Sequence, residues 1–264
     1  MALEGFDSFP FTHAGASRTV HCLGTGPGVV VMHEIPGITP EVEHFARRVA
    51  AEGFRVFLPH MFGTPGKPLS APYALGQMAR ACISREFSVL AKGESSPITD
   101  WLRALCRHAH SECGGPGVGA IGMCLTGNFA LSLMVDDAVM APVLSQPSLP
   151  FPVSKAHRAA LHLSDADLEV VKKRARQGAG VLGLRFSDDP LCPPERFETL
   201  RRELGDDFEA IEIDSSRGNP HGIKRIAHSV VTADLIDEQG HPTRAALDRV
   251  LALFQERLLP QPTA

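Results

Sequence analysis

Alternating strand-like and helix-like segments predict a doubly wound α/β fold, with a mostly parallel central sheet and helices on both faces. Two observations carry this reading. Val29-Val30-Val31-Met32 is a continuous apolar run, rich in β-branched residues and of the length of a strand buried on both faces. The segments that follow read as helix and then strand, a β-α-β unit whose crossover between parallel strands is right-handed.

The elements follow in order. His33-Glu34-Ile35-Pro36-Gly37-Ile38 is a loop, after which Thr39 can cap a helix that has Pro40 at its first position. Val42, Phe45, Ala46, Val49 and Ala50 fall on one face at spacings of three and four, and Gly53 ends the helix. Residues 54–59 form the second strand. Residues 60–72, rich in Pro and Gly, read as an irregular loop, whereas 73–92 and 98–110 read as helices separated by Gly93-Glu94-Ser95-Ser96-Pro97. Residues 117–121 are short, small and apolar, a strand, and 128–135 have helical spacing. Strands are predicted again at 138–144, at 180–186, which runs into Ser187-Asp188-Asp189, and at 208–213. Ser164 caps a polar helix that runs to Gln177, and Pro194 starts another. The last helix, from Thr243, turns Leu247, Val250, Leu251, Phe254 and Leu258 to the core. No repeat, low-complexity segment or linker interrupts the chain, so residues 1–264 read as one domain with a loose tail over 260–264.

Composition narrows the function. With 264 residues and 44% hydrophobic content, the chain can bury a large core. Lys and Arg number 26 against 30 Asp and Glu, a formal net charge of −4 with no long run of either sign. This argues against a nucleic-acid or anionic-membrane partner and for a small-molecule substrate. The six cysteines (Cys22, Cys82, Cys106, Cys113, Cys124 and Cys192) form no C-x-x-C pair, and the N-terminus lacks a basic segment followed by an apolar run. Both features predict a cytoplasmic protein with reduced thiols. No apolar stretch approaches the ~20 residues that a membrane-spanning helix needs. The twelve histidines have no metal-ligand spacing, and His108 and His110 lie on a polar helix, so neither a metal nor another cofactor is expected.

Gly122-Met123-Cys124-Leu125-Thr126-Gly127 joins a strand to a helix through a sharp turn. A residue at such a turn is forced into a strained conformation that lifts its side chain off the sheet, so small neighbours such as Gly122 and Gly127 are needed. A helix starting at Leu125 would aim its free N–H groups at Cys124 and favour the reactive thiolate. The competing reading is that Cys124 is a small buried hydrophobe.

A thiol nucleophile needs a base, and the base needs an acid to fix its tautomer. In a parallel sheet these groups gather at the carboxyl ends of strands, where Glu34, Cys124 and Asp189 are predicted to sit. The order Cys124, Asp189, His228 is the nucleophile, acid, histidine order of α/β-hydrolases. From the residues alone, Asp188 competes with Asp189 and His221 with His228. His228 is preferred, because Ala227-His228-Ser229 precedes a short apolar stretch, whereas His221 lies in an exposed-looking turn after Arg217-Gly218-Asn219-Pro220.

These residues give the chain a resemblance to the dienelactone hydrolase family, whose members carry G-x-C-x-G-G, D-x-x-x-P and His-Ser motifs. The matches are Gly122 to Gly127, Asp189-Pro190-Leu191-Cys192-Pro193 and His228-Ser229, with Glu34-Ile35-Pro36-Gly37 similar to the family's E-I-F-G segment. They run in order across residues 28–258. The resemblance implies an α/β-hydrolase-like fold and selects Asp189 and His228. It also implies that Glu34 helps to convert Cys124 to thiolate when substrate binds, that the N–H groups of Ile35 and Leu125 form the oxyanion hole, and that Arg85 and Ser229 lie near the substrate.

There are departures. Thr126 replaces the family's glycine two residues after the nucleophile, which implies a tighter or displaced turn. The family's bacterial enzymes use an arginine four residues after the histidine to bind a substrate carboxylate, and Thr232 stands there. Arg85 and Arg225 are the remaining candidates for that role. The sequence therefore predicts a cytoplasmic, cofactor-independent cysteine hydrolase of small esters or lactones, with a non-catalytic ligand-binding protein of the same fold as the rival.

Overall fold

The computed structural model describes residues 3–83 and 96–260. The predicted helix over 73–92 is described as far as Ile83, in a helix spanning Ala71–Ile83. Its remainder, including Arg85, lies outside the described residues.

The fold is built on an eight-stranded sheet of order β1-β2-β4-β3-β5-β6-β7-β8: β1 Asp7–His13, β2 Ala16–Leu23, β3 Gly28–Met32, β4 Arg55–Pro59, β5 Val118–Met123, β6 Val139–Ser145, β7 Val181–Phe186 and β8 Phe208–Ile213. From β4 to β8 neighbouring strands are parallel, whereas β1 and β2 form an antiparallel hairpin that pairs with β4. The sequence reading left this hairpin unassigned. Residues of β1 are exposed or half-buried, while β2 buries Val20, His21 and Cys22, and Pro10 sits on the edge strand, where a missing N–H is tolerated.

The period-two alternation of the strands divides two cores. Val30 and Met32 of β3 face Trp101, Leu102 and Leu105 of the helix Pro97–Cys113, while Val29 and Val31 face Phe45 and Val49 of the helix Pro40–Ala51 and Val250 and Phe254 of the helix Pro242–Leu258. The first helix is started by Thr39, whose hydroxyl accepts from the Val42 N–H, with Pro at its first position. Burial on both faces explains why the central strands read as unbroken apolar runs.

The segment after the central strand departs from the expected helix at Leu125. Cys124–Thr126 is a single 3₁₀ turn, and the α-helix proper is the short Phe129–Leu133. Cys124 is therefore faced by the N–H groups of one tight turn, and the longer helix begins too late to aim a dipole at it.

Candidate active site

All five segments of the candidate site leave the sheet at its carboxyl edge, at the ends of β3, β5, β6, β7 and β8. Cys124 follows β5 directly and adopts φ +55°, the left-handed region that a non-glycine residue occupies at a cost of about 1–3 kcal/mol. The surrounding contacts hold it there. The Cys124 carbonyl accepts from the N–H groups of Gly127 (3.0 Å) and Ser148 (2.9 Å). A Cβ on Gly122 would come within 2.0 Å of the Thr126 carbonyl, and one on Gly127 within 2.5 Å of Pro147 Cα, so both positions require glycine.

Thr126 braces this turn. Its side chain is fully buried, donates to the Met32 carbonyl at the end of β3 (2.9 Å) and accepts from the Met123 N–H (2.9 Å). The hydroxyl thus ties the nucleophile turn to the neighbouring strand. Thr126→Val, nearly isosteric, removes the hydroxyl and is expected to destabilise the fold by about 1–3 kcal/mol through the unpaired buried groups it leaves. Equilibrium urea unfolding measures this, and an unchanged midpoint contradicts the bridging role.

His228 Nδ1 bonds to Asp189 Oδ2 at 2.6 Å, and the carboxylate is buried. The other Asp189 oxygen accepts from the Leu191 N–H (2.9 Å), fixing the carboxylate within its own loop. That loop is knitted by Arg185, a buried β7 residue that donates to the Cys192 (3.0 Å) and Ser187 (2.8 Å) carbonyls. Asp188 pairs instead with Arg225 at 2.9 Å, which accounts for both residues on the surface. His221 is exposed, its loop tied by Asn219, and it stacks edge-on against His241. The N–H groups of His228 and Ser229 both donate to Asp234 Oδ2, at 2.8 and 3.0 Å, so Asp234 shapes the loop that presents the imidazole.

The Cys124 thiol is within hydrogen-bonding reach of His228. Burial opposes charge on the imidazole. The negative charge of a Cys124 thiolate and the hydrogen bond to Asp189 outweigh it, so His228 is raised well above the ordinary histidine range. By contrast, burial pushes the thiols of Cys22 and Cys192 up to about 12, which leaves them inert at neutral pH.

Glu34 is buried, with both carboxylate oxygens engaged. Ser229 donates at 2.7 Å and Gln146 Nε2 at 3.2 Å to Oε2, while the Thr232 hydroxyl donates to Oε1. Burial nevertheless pushes this carboxyl above its ordinary range, against the hydrogen bonds from Thr232 and Ser229. The N–H of Gly37 donates to the Glu34 carbonyl at 2.8 Å, closing a turn in which the Ile35–Pro36 bond is cis. Ile35 follows β3 and Leu125 follows β5, neighbouring parallel strands of the sheet. Leu125 stands at the start of a 3₁₀ turn, where an N–H has no acceptor within its own turn.

Several residues of the site were not legible as functional. Gln146 and Ser148 follow β6, the sheet neighbour of the strand that carries Cys124. Their place at a strand's carboxyl end was the available signal. Arg196 is fully buried and holds the segment after β6 through the carbonyls of Pro147 (2.6 Å), Pro150 (2.6 Å), His157 (2.9 Å) and Ala160 (3.0 Å). Burial lowers it to about 10, so it stays charged at neutral pH. A cleft of about 390 Å³ between Pro150 and Glu203 has none of Cys124, Asp189 and His228 in its lining.

His33, beside Glu34, is fully buried, accepting from the Met61 N–H on Nε2 (3.1 Å) and facing the Glu34 carbonyl through Nδ1 (3.1 Å). Burial lowers its pKa to about 3. An unfolded histidine takes up a proton below about 6.5, whereas folded His33 stays neutral to about 3, so between these values the unfolded state binds more protons. Stability from this group is complete above that window and falls on acidification by about 1.4 kcal/mol per pH unit. His162, lowered to about 4, acts with the same sign. The raised Glu34 carboxyl acts oppositely, contributing most at low pH. His33→Gln, which can both donate and accept, is therefore expected to flatten the pH dependence of unfolding by about one proton relative to wild type. Parallel slopes between pH 4 and 6 for the two proteins contradict this.

Comparisons with known proteins assign the chain to a family. The dienelactone hydrolase family model matches residues 18–258. The chain belongs to the dienelactone hydrolase family. A Saccharomyces cerevisiae protein provisionally named carboxymethylenebutenolidase is 25% identical over 182 residues, 68% of this chain and 63% of that one. The Rhodococcus opacus carboxymethylenebutenolidase is 28% identical over 127 residues, 48% of this chain and 44% of its own length. The matched stretch thus spans less than two thirds of either relative. A Klebsiella pneumoniae crystal structure, provisionally named dienelactone hydrolase, superposes with a TM-score of 0.62 at 18% identity, covering 95% of this chain and 98% of that one. At this identity the likeness speaks for the α/β-hydrolase fold. Among the described residues, no group of acidic, histidine or cysteine side chains forms a metal site, and no helix is long and apolar enough to cross a membrane.

Proposed function

We infer that this family member is a cysteine hydrolase of small carboxylic esters or lactones, acting in the cytoplasm through Cys124, His228 and Asp189. The observation that carries the reading is the convergence of a thiol held at positive φ, an imidazole within its reach and a buried carboxylate 2.6 Å behind that imidazole.

In the first half-reaction the thiol proton passes to His228 Nε2 and Cys124 Sγ bonds to the acyl carbon. The ester C–O bond breaks, and the leaving oxygen takes the proton from Nε2. In the second, water gives a proton to Nε2 while its oxygen bonds to the thioester carbon. The C–S bond then breaks, and the sulfur recovers the proton. The N–H groups of Leu125 and Ile35 are assigned to the developing oxyanion. Burial raises the Glu34 carboxyl above its ordinary range, which weakens the opposition its charge offers to thiolate formation.

The relatives' names denote an unsaturated lactone bearing a carboxymethylene group, and such a lactone is the substrate class to test first. Thr232, engaged with Glu34, stands where the family's bacterial enzymes use an arginine, so neutral esters belong in the same panel. The test is the intact mass of the protein after brief exposure to an activated small ester. A transient acyl adduct located on Cys124 supports the reading. No adduct and no turnover across neutral and acidic esters would favour a ligand-binding role.

A further inference from the structure

Ser148 makes two contacts with the catalytic pair from one fully buried position. Its backbone N–H donates to the Cys124 carbonyl at 2.9 Å, and its Oγ lies 3.5 Å from His228 Nε2. The same hydroxyl donates to the Gln146 carbonyl at 3.1 Å. A hydroxyl has one proton to give and two lone pairs. With its proton committed to Gln146, Oγ faces Nε2 as an acceptor.

We propose that Ser148 is a positioning residue of the reaction, a second Nε2 partner that accepts the hydrogen bond of the imidazolium whenever His228 holds a proton in transit. This rests on the assignment of Cys124 as nucleophile. Nδ1 is occupied by Asp189, so the proton carried between sulfur, leaving oxygen and water must sit on Nε2. Once Cys124 is acylated, its sulfur no longer offers Nε2 a charged partner, and Ser148 is the hydroxyl already beside it. Ser148 neither gains nor loses a proton. It steadies the imidazolium in both half-reactions, and a 3.5 Å resting contact shortens when the ring becomes charged. The other groups facing His228 are Asp189 at Nδ1, Glu34 through its Coulomb field, and Asp234 on the backbone N–H.

The backbone contact with Cys124 survives any side-chain substitution, so the hydroxyl can be tested alone. The His228 ring is titrated by NMR in Cys124→Ala, and again with Ser148→Ala or Ser148→Thr added. Removing the hydroxyl is expected to lower the His228 midpoint by about half a unit to one unit, and threonine to restore it. With Cys124 intact, Ser148→Ala is expected to slow both formation and decay of the acyl adduct about threefold to tenfold at unchanged KM, with threonine again restoring both rates. An unmoved midpoint, or threonine as impaired as alanine, overturns the proposal. A wild-type enzyme that never forms an adduct instead overturns the assignment of Cys124, while the titration still decides whether Ser148 supports the imidazolium.

Discussion

Cys124→Ala is expected to abolish the acyl adduct and to lower kcat/KM for every accepted ester by at least about a thousandfold. The substitution is clean for a structural reason. Alanine keeps the Cβ, so the left-handed conformation at φ +55° costs the same in both proteins, and the carbonyl contacts from Gly127 and Ser148 are untouched. The melting temperature should therefore stay near that of wild type. Loss of the sulfur removes the atom assigned to the covalent intermediate, so residual activity would reflect the oxyanion donors and His228 acting on water alone. Undiminished turnover in this variant would exclude the thioester route.

The second large effect is expected at Asp189. In Asp189→Asn the amide oxygen is retained at the Leu191 N–H, where Oδ1 accepts at 2.9 Å, which turns the NH₂ group toward His228 Nδ1. Nδ1 must then become an acceptor, and the neutral ring carries its proton on Nε2, where it can no longer take one from the thiol. A loss of about 10²- to 10⁴-fold in kcat/KM follows, with little change in stability because the volume and both contacts are preserved. Steady-state kinetics beside thermal unfolding measure this. Wild-type kcat/KM in the variant would mean that Asp189 does not set the tautomer.

Much of the candidate site was legible because its turns and spacings depend on local sequence. The tight turn at Cys124 requires small residues at positions 122 and 127, since a Cβ at either would collide with backbone or Pro147, and those glycines are visible in the chain. Glu34 was noticeable because a charged residue two positions after an unbroken apolar strand has to be explained. The choice between Asp188 and Asp189 was not local. Both sit in one dipeptide, and only packing against the loop after β8 turns one to His228 and the other to Arg225. Thr126 read as unwanted bulk, but its hydroxyl bridges to β3, a partner more than ninety residues away in the chain. Gln146, Ser148 and Arg196 were unreadable for a similar reason: each works through a hydrogen bond to a group that sequence spacing does not bring near.

By itself, the sequence determined the parallel core strands, the helix starts at Thr39, Ser164 and Pro194, and the chain order of Cys124, Asp189 and His228. Hydrophobic periodicity, capping chemistry and backbone sterics act over a few residues and leave their pattern in the chain. Tertiary structure decided the edge hairpin, the single 3₁₀ turn after Cys124 and the network around Glu34. These depend on which surfaces meet across the sheet, and a buried polar group is specified by its partner as much as by itself.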